Sequence, residues 1–158
     1  MLENFCVWLQ DTPFALAISE NWFPQVESAH VVFLALVAGS IFIVDLRLLG
    51  LASRQLRVTQ VSDALLPVTW VAFGGALLTG LLMFAANAVN YYDNGPFRAK
   101  MVLLLLAGLN MAWYQRVTFR NVAEWDDGTP SGAARFAGAA SLLLWTGVIG
   151  TGRWIGFT

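Results

Sequence analysis

The stretch Pro24–Leu51 constrains the fold more than any other part of the chain. It contains the only histidine, His30, and 17 residues without an Asp, Glu, Lys or Arg side chain separate Glu27 from Asp45. Two aromatic residues precede this run and Arg47 follows it. A run of this length, with aromatic and basic residues at its borders, predicts a single helix that crosses a bilayer.

Three ionisable residues of this helix, Glu27, His30 and Asp45, fall on one side of it. At about 100° per residue, Glu27 and Asp45 share a face, and His30 lies about 60° from each. An ionisable side chain that faces lipid costs several kcal/mol, so such residues usually point into a bundle or a cavity. We therefore expect this face to line the interior of a helix bundle.

The composition agrees with a membrane protein. Apolar residues make up 58% of the 158 residues and charged residues 12%, whereas a soluble domain carries about 25% charge. The net charge of −1 and the lack of a basic patch indicate no nucleic-acid partner. The single cysteine, Cys6, excludes an intrachain disulfide. Residues 1–20 contain no Lys or Arg, so no cleaved signal peptide is expected.

Three further apolar runs follow the first, and we predict one all-α integral membrane domain, a bundle of four transmembrane helices. Residues 1–23, amphipathic and broken by Pro13, are predicted to form a segment that lies in the membrane interface. The transmembrane domain occupies residues 24–158. The predicted spans are about 25–50, 64–92, 97–119 and 133–152.

The basic residues predict the orientation. Six arginines fall at one end of the predicted bundle, against three basic residues at the other, Arg98, Lys100 and Arg153. Because basic residues are enriched in cytoplasmic loops, both termini are predicted to be periplasmic. The six arginines are Arg47, Arg54, Arg57, Arg116, Arg120 and Arg135.

The outer end collects polar and aromatic residues and is the first candidate site. Glu27 and His30 are neighbours on one helix, at i and i+3. A single such pair without a second histidine falls short of the paired motifs that hold di-metal centres. The other members are Tyr91, Tyr92, Arg98, Lys100, Arg153 and Trp154.

A b-type haem is one cofactor that this end could hold. His30 would be an axial metal ligand and Met83 or Met101 the sixth ligand, because His/Met ligation is a known arrangement. Arg98, Lys100 or Arg153 would face the propionates. Three alternatives stay open: five-coordinate iron, iron shared across an oligomer, and a site for a quinone or another small molecule. In a further interpretation without any cofactor, His30 has a structural role and is hydrogen-bonded to Glu27.

The inner end has a second polar group. Asp45 lies on the predicted buried face, and we expect it to pair with Arg116 or Asn110 from the third span. We expect these four polar residues, Glu27, Asp45, Asn110 and Arg116, to have structural roles.

Several motifs resemble a group of uncharacterised bacterial four-helix inner-membrane proteins. They are the Pro24-x-x-Glu27-x-x-His30 run, the Asp45-Leu-Arg47-Leu-Leu-Gly50 run, Phe97-Arg-x-Lys100 and Gly152-Arg153. The similarity covers most of the chain from about residue 20 and implies a four-span fold in a bacterial cytoplasmic membrane. More distantly, a first span with an outer histidine is similar to copper-resistance membrane proteins and small membrane cytochromes b.

These observations favour a small redox-type membrane subunit with an outer-leaflet site around His30, which works with other membrane subunits or as a homo-oligomer. The alternative is a non-catalytic subunit that anchors or assembles a larger complex. A small transporter is disfavoured because the chain has no internal repeat.

Overall fold

The computed structural model describes residues 2–157. Met1, the first residue of the predicted interfacial segment, and Thr158, the last residue of the predicted transmembrane domain, lie outside the described residues. The described part is helical and contains no strand, which confirms the predicted all-α class. The helices are α1 (Leu2–Gln10), α2 (Pro13–Ala17), α3 (Phe23–Leu48), α4 (Val58–Ala86), α5 (Ala88–Asp93), α6 (Gly95–Trp113) and α7 (Gly132–Trp154).

Short polar side chains begin several of these helices. Thr12, Asn94 and Ser131 each accept a hydrogen bond from the amide three residues further on, at 3.3, 2.9 and 3.2 Å. Each bond satisfies one of the amides that a helix start leaves without a partner. At the other end of α3, Gly50 has a φ of +71° and the Leu51 amide donates to the Leu46 carbonyl at 2.9 Å. Glycine takes this left-handed conformation without steric cost, so α3 ends there.

Helices α3 and α4 form an antiparallel pair that packs closely. A Cβ atom added to Gly75 would lie 2.6 Å from the Phe33 ring, so only glycine leaves room for that ring. Further along the pair, the Thr69 hydroxyl lies 2.7 Å from the Ser40 hydroxyl, and both residues are buried. Small residues in membrane helices allow this kind of approach.

Helix α7 joins the α3–α4 pair to α6. It packs against α3 and against α6, and a Cβ on Gly138 would lie 3.1 Å from the Asp45 carbonyl oxygen. One hydrophobic cluster lies in the middle of the bundle and includes Val37 and Trp145. A second cluster, which includes Leu48 and Tyr114, lies toward the end that carries the six arginines, hereafter the arginine-rich end.

Three helical segments within residues 2–157 are long and apolar enough to cross a membrane, rather than clearly four. They are Pro13–Leu48, Val58–Ala86 and Gly132–Phe157, of 36, 29 and 26 residues. Helix α6 differs because it has 19 residues and carries Arg98 and Lys100 near its start. These three segments are consistent with a membrane protein.

The observed helix bounds differ from those of the predicted spans. Helix α4, which corresponds to the predicted second span, begins at Val58, six residues before the predicted start at 64. It ends at Ala86 because Asn87 has a non-helical backbone (φ −146°, ψ 41°). After α6, the chain continues as a π-helical turn, Tyr114–Thr118, and a short 3₁₀ segment, Phe119–Glu124. Before α3, a π-helical turn, Ile18–Trp22, links it to α2.

The N-terminal segment packs on the bundle. Helix α1 contacts α5 and α4, and the Gln10 side-chain oxygen accepts a hydrogen bond from the Val89 amide at 3.1 Å. Cys6 is buried, while Phe5 and Trp8 are exposed. An apolar exposed side of this kind suits the interface of a membrane.

Candidate functional site

His30 lies between α3 and α4 and is hydrogen-bonded across that interface. Its Nδ1 atom is 2.9 Å from the Thr79 hydroxyl oxygen, and the same hydroxyl is 2.7 Å from the Gly75 carbonyl oxygen. Because that hydroxyl has one proton to donate and the carbonyl can only accept, the His30 Nδ1–H donates to Thr79. The neutral imidazole then keeps its lone pair on Nε2.

The His30 ring also fits against a glycine. A Cβ added to Gly80 would lie 3.2 Å from the ring's Cε1 atom. The predicted partner of His30 was Glu27, but Glu27 is exposed and the imidazole Nδ1 bonds to Thr79 on the neighbouring helix. The register of α4 against α3, which the sequence does not specify, decides this partner.

Of the three basic residues predicted near a cofactor, Lys100 lies deepest. It is half-buried, its Nζ lies 3.6 Å from the position of a Cβ on Gly152, and its charge acts on the His30 imidazole. His30, Thr79, Lys100 and Gly152 thus bring α3, α4, α6 and α7 together at one end of the bundle, hereafter the histidine end.

The two arginines are engaged elsewhere. Arg98 is exposed, donates to the Tyr92 carbonyl at 2.9 Å and lies 3.5 Å from an Asp93 carboxylate oxygen. The Arg153 guanidinium lies 5.0 Å from the centre of the Phe157 ring. Both arginines therefore make surface contacts, and the structure does not bring them to His30.

The two predicted sulfur ligands differ in position. Met101 is 42% exposed on α6, whereas Met83 is partly buried on α4, one turn beyond Thr79. Of the two, Met83 lies on the helix that already contacts His30. Among residues 2–157, no group of three or more His, Cys, Asp or Glu side chains could hold a metal ion.

The polar groups toward the arginine-rich end do not form the predicted pair. Asp45 is 4% exposed, but Arg116 is exposed, and the Asn110 amide donates to the Ala137 carbonyl at 3.0 Å. Asp45 instead lies close to Ser141. The expected pairing with Arg116 or Asn110 was wrong, because Arg116 is exposed in the turn after α6 and Asn110 is bonded to α7.

Several oxygens in this region have no hydrogen-bond partner among the described residues. They are Asp45 Oδ2, Ser62 Oγ, Tyr114 Oη and Thr118 Oγ1. Leaving a buried polar group unpaired costs about 1–3 kcal/mol. Tyr114 begins the π-helical turn after α6, and such turns are frequent at functional sites.

Sequence reasoning missed a second feature of this end, a buried arginine. Arg47 is 1% exposed; its Nε donates to the Leu56 carbonyl at 2.8 Å and its guanidinium donates to the Asp126 carbonyl at 3.2 Å. It therefore joins the two loops of this end. The sequence showed only a basic residue after an apolar run, which is usually a membrane border.

Asp126 completes this junction at the start of α4. Its carboxylate accepts from the Thr59 amide at 2.9 Å and from the Thr59 hydroxyl at 2.6 Å. Partial burial acts to raise the pKa of Asp126, but the two bonds from Thr59 and the charge of Arg57 outweigh it and lower the pKa below its ordinary value. A carboxylate at a helix N-terminus is favourable for the helix.

Comparison with known proteins gives a family and nothing narrower. No curated protein and no solved structure matches the chain. The similarity to copper-resistance proteins and small membrane cytochromes b therefore receives no support. Residues 21–158 match the family described as "Family of unknown function (DUF6644)". This match includes α3 to α7 with both ends of the bundle, and the chain belongs to that family.

Proposed function

We propose that this chain is an integral subunit of a bacterial cytoplasmic membrane, with α6 as a fourth span beside the three long helices. Support for α6 comes from its packing along α7: Leu103 contacts Gly147, and Asn110 bonds to Ala137. Its exposed residues are largely apolar, as lipid contact requires. They include Met101, Val102, Leu105, Leu106 and Leu109.

An even number of spans puts both termini on one side, and the arginine-rich end is the cytoplasmic one. A periplasmic reporter fused after Thr158 should be active, and a reporter inserted at Gly128, in the loop before α7, should not. Activity of a cytoplasmic reporter at the C-terminus would contradict this orientation.

The proposed function is that of a redox-type subunit with an outer-leaflet site around His30. One observation carries it: the bond from Nδ1–H to Thr79 orients the imidazole and leaves Nε2 as the nitrogen able to bind a metal. Orientation of a ligand histidine through its other nitrogen is a regular feature of metal sites. A haem b is the proposed cofactor, and His30 would hold its iron.

Two neighbouring residues support this cofactor. Lys100 supplies a positive charge at the same end, as an anionic propionate requires. Met83 rather than Met101 would provide the second protein ligand, because Met101 is exposed on α6.

A non-catalytic anchor or assembly subunit is the second candidate. It is favoured by the contact between the His30 ring and Gly80 together with the Thr79 bond, because both interactions join α3 to α4 without a cofactor. Such a subunit would use its exposed apolar surface against other membrane subunits or a second copy.

Absorption spectra of the purified protein, oxidised and dithionite-reduced, separate these candidates. If His30 binds haem iron, the native protein shows a Soret band that is lost in His30→Ala, while Thr79→Val weakens it. Met83→Leu should alter the reduced α-band, and Met101→Leu serves as its matched control.

A colourless native preparation with an intact helical bundle would refute the redox proposal. In that case, Thr79→Val should lower stability by about 0.6 kcal/mol, the mean value of one interhelical hydrogen bond in a membrane protein. His30→Ala should cost more, because it also removes the contact between the ring and Gly80. Losses in this order would support a structural role of His30, as the anchor requires.

A further inference from the structure

The bundle encloses a cavity that the histidine end does not use. Helix α3 packs against α4 and α7, and α7 packs against α6. Between α4 and α6 lies a cavity of about 320 Å³, with α3 and α7 as its floor. Its walls are mainly apolar and include four aromatic side chains, Trp70, Phe73, Tyr114 and Trp145.

Polar residues also line this cavity, and three of them have an oxygen without a hydrogen-bond partner among residues 2–157. Asp45, Ser62 and Tyr114 line it, and they are 4%, 1% and 6% exposed. One oxygen of each residue has no hydrogen-bond partner within residues 2–157. Three helical segments, α3, α4 and the turn after α6, thus each contribute an unpaired oxygen to the lining. Buried polar groups are normally hydrogen-bonded, so these oxygens call for a partner that residues 2–157 do not supply.

The residues that line the cavity indicate what kind of ligand would fit it. The Ser62 and Tyr114 hydroxyls can each donate and accept a hydrogen bond, and the Asp45 carboxyl adds an acceptor. Among residues 2–157, no Lys or Arg lines the cavity, so a lipid phosphate would meet Asp45 without a counter-charge. A neutral head group with carbonyl or hydroxyl oxygens fits these groups. The aromatic walls favour a planar ring.

Access to the cavity is from the lipid side. Trp70 lines the cavity and is also 57% exposed on the outer surface of α4. A ligand with an apolar tail can therefore place its ring inside and leave the tail among lipid chains. We propose that the cavity between α4 and α6 binds a quinone or quinol. This site lies apart from His30 and does not depend on a haem there.

The experiment uses full-length protein in detergent and decylubiquinone as the probe. Binding is followed by quenching of tryptophan fluorescence, since Trp70 and Trp145 line the cavity. Tyr114→Phe and Ser62→Ala should each raise the dissociation constant about tenfold, the effect of one lost hydrogen bond. His30→Ala should leave it unchanged.

A volume change provides an independent test. A Cβ on Gly108 would meet no atom within 4 Å, and Gly108 lines the cavity, so Gly108→Leu should fold and block quinone binding. Leu143→Ala, on the exposed side of α7, is the matched control. Helix content measured by circular dichroism verifies that each variant is folded.

Three results would overturn the proposal. The first is absence of quenching by decylubiquinone in the native protein, which would mean that water alone fills the cavity. The second is equal affinity of the native protein and Tyr114→Phe, Ser62→Ala and Gly108→Leu. The third is displacement of the probe by phosphatidylglycerol micelles at equal concentration, which would assign the cavity to phospholipid.

Discussion

Replacement of Arg47 by methionine should destabilise the protein through the loss of two hydrogen bonds that a buried side chain donates. The methionine keeps an unbranched apolar stem, but it frees the Leu56 and Asp126 carbonyls that the guanidinium contacts at 2.8 and 3.2 Å. A hydrogen bond from a charged group contributes about 1.5–3 kcal/mol, so the two bonds amount to about 3–6 kcal/mol. Two effects reduce this loss. Leu56 is exposed, so its freed carbonyl can bind water, and the substitution also removes a buried charge. We therefore expect a loss of about 2–4 kcal/mol.

Arg54 is the matched control for this change. Its side chain also donates to a backbone carbonyl, that of Gly50, but the residue is exposed. Arg54→Met should cost less than about 1 kcal/mol. The free energy of unfolding is measured by SDS titration in mixed micelles, and limited proteolysis of the 121–131 loop reports whether that loop has been released. Equal stability of the two variants would refute the role of Arg47 as a buried junction.

Three further predictions concern packing, charge and pH. Gly75→Ala should cost about 1–3 kcal/mol in a thermal unfolding assay because its new methyl group meets a ring at 2.6 Å, whereas Gly74→Ala, with open space around it, should be neutral or slightly stabilising. A similar loss in both would contradict the close approach of α3 and α4. Asp45→Leu should be neutral or stabilising in the same assay, since it removes a buried carboxyl without an ion-pair partner among the described residues; strong destabilisation would show that a partner exists. The folded-state pKa of Asp126 lies below its ordinary value of 3.8, so its contribution is present above that value and is lost as the pH falls through the folded pKa. The difference in stability between the native protein and Thr59→Ala should therefore shrink in acid, and a constant difference would be contrary evidence.

The sequence was sufficient for the class of the protein and for most of its helices. An apolar run between Glu27 and Asp45 needs only its own composition to form a helix in a membrane, and α3 was predicted within two residues at each end. The same pattern overestimated the second span at its far end, because the run of uncharged residues continues past Asn87, where the backbone breaks. A run of uncharged residues predicts that a segment lies in lipid, but it does not predict where the helix bends.

The partners of the polar residues were decided by the tertiary structure. His30 bonds to Thr79, 49 positions away, because Gly75 and Gly80 set how α4 approaches α3. Arg47 is buried because two loops fold over it, and only their closure makes the Leu56 and Asp126 carbonyls available. Hydropathy is a sum over neighbours in the chain, so the sequence by itself determined the membrane helices. A hydrogen bond between helices depends on their register to within a fraction of an ångström, and the packing of whole helices determines that register.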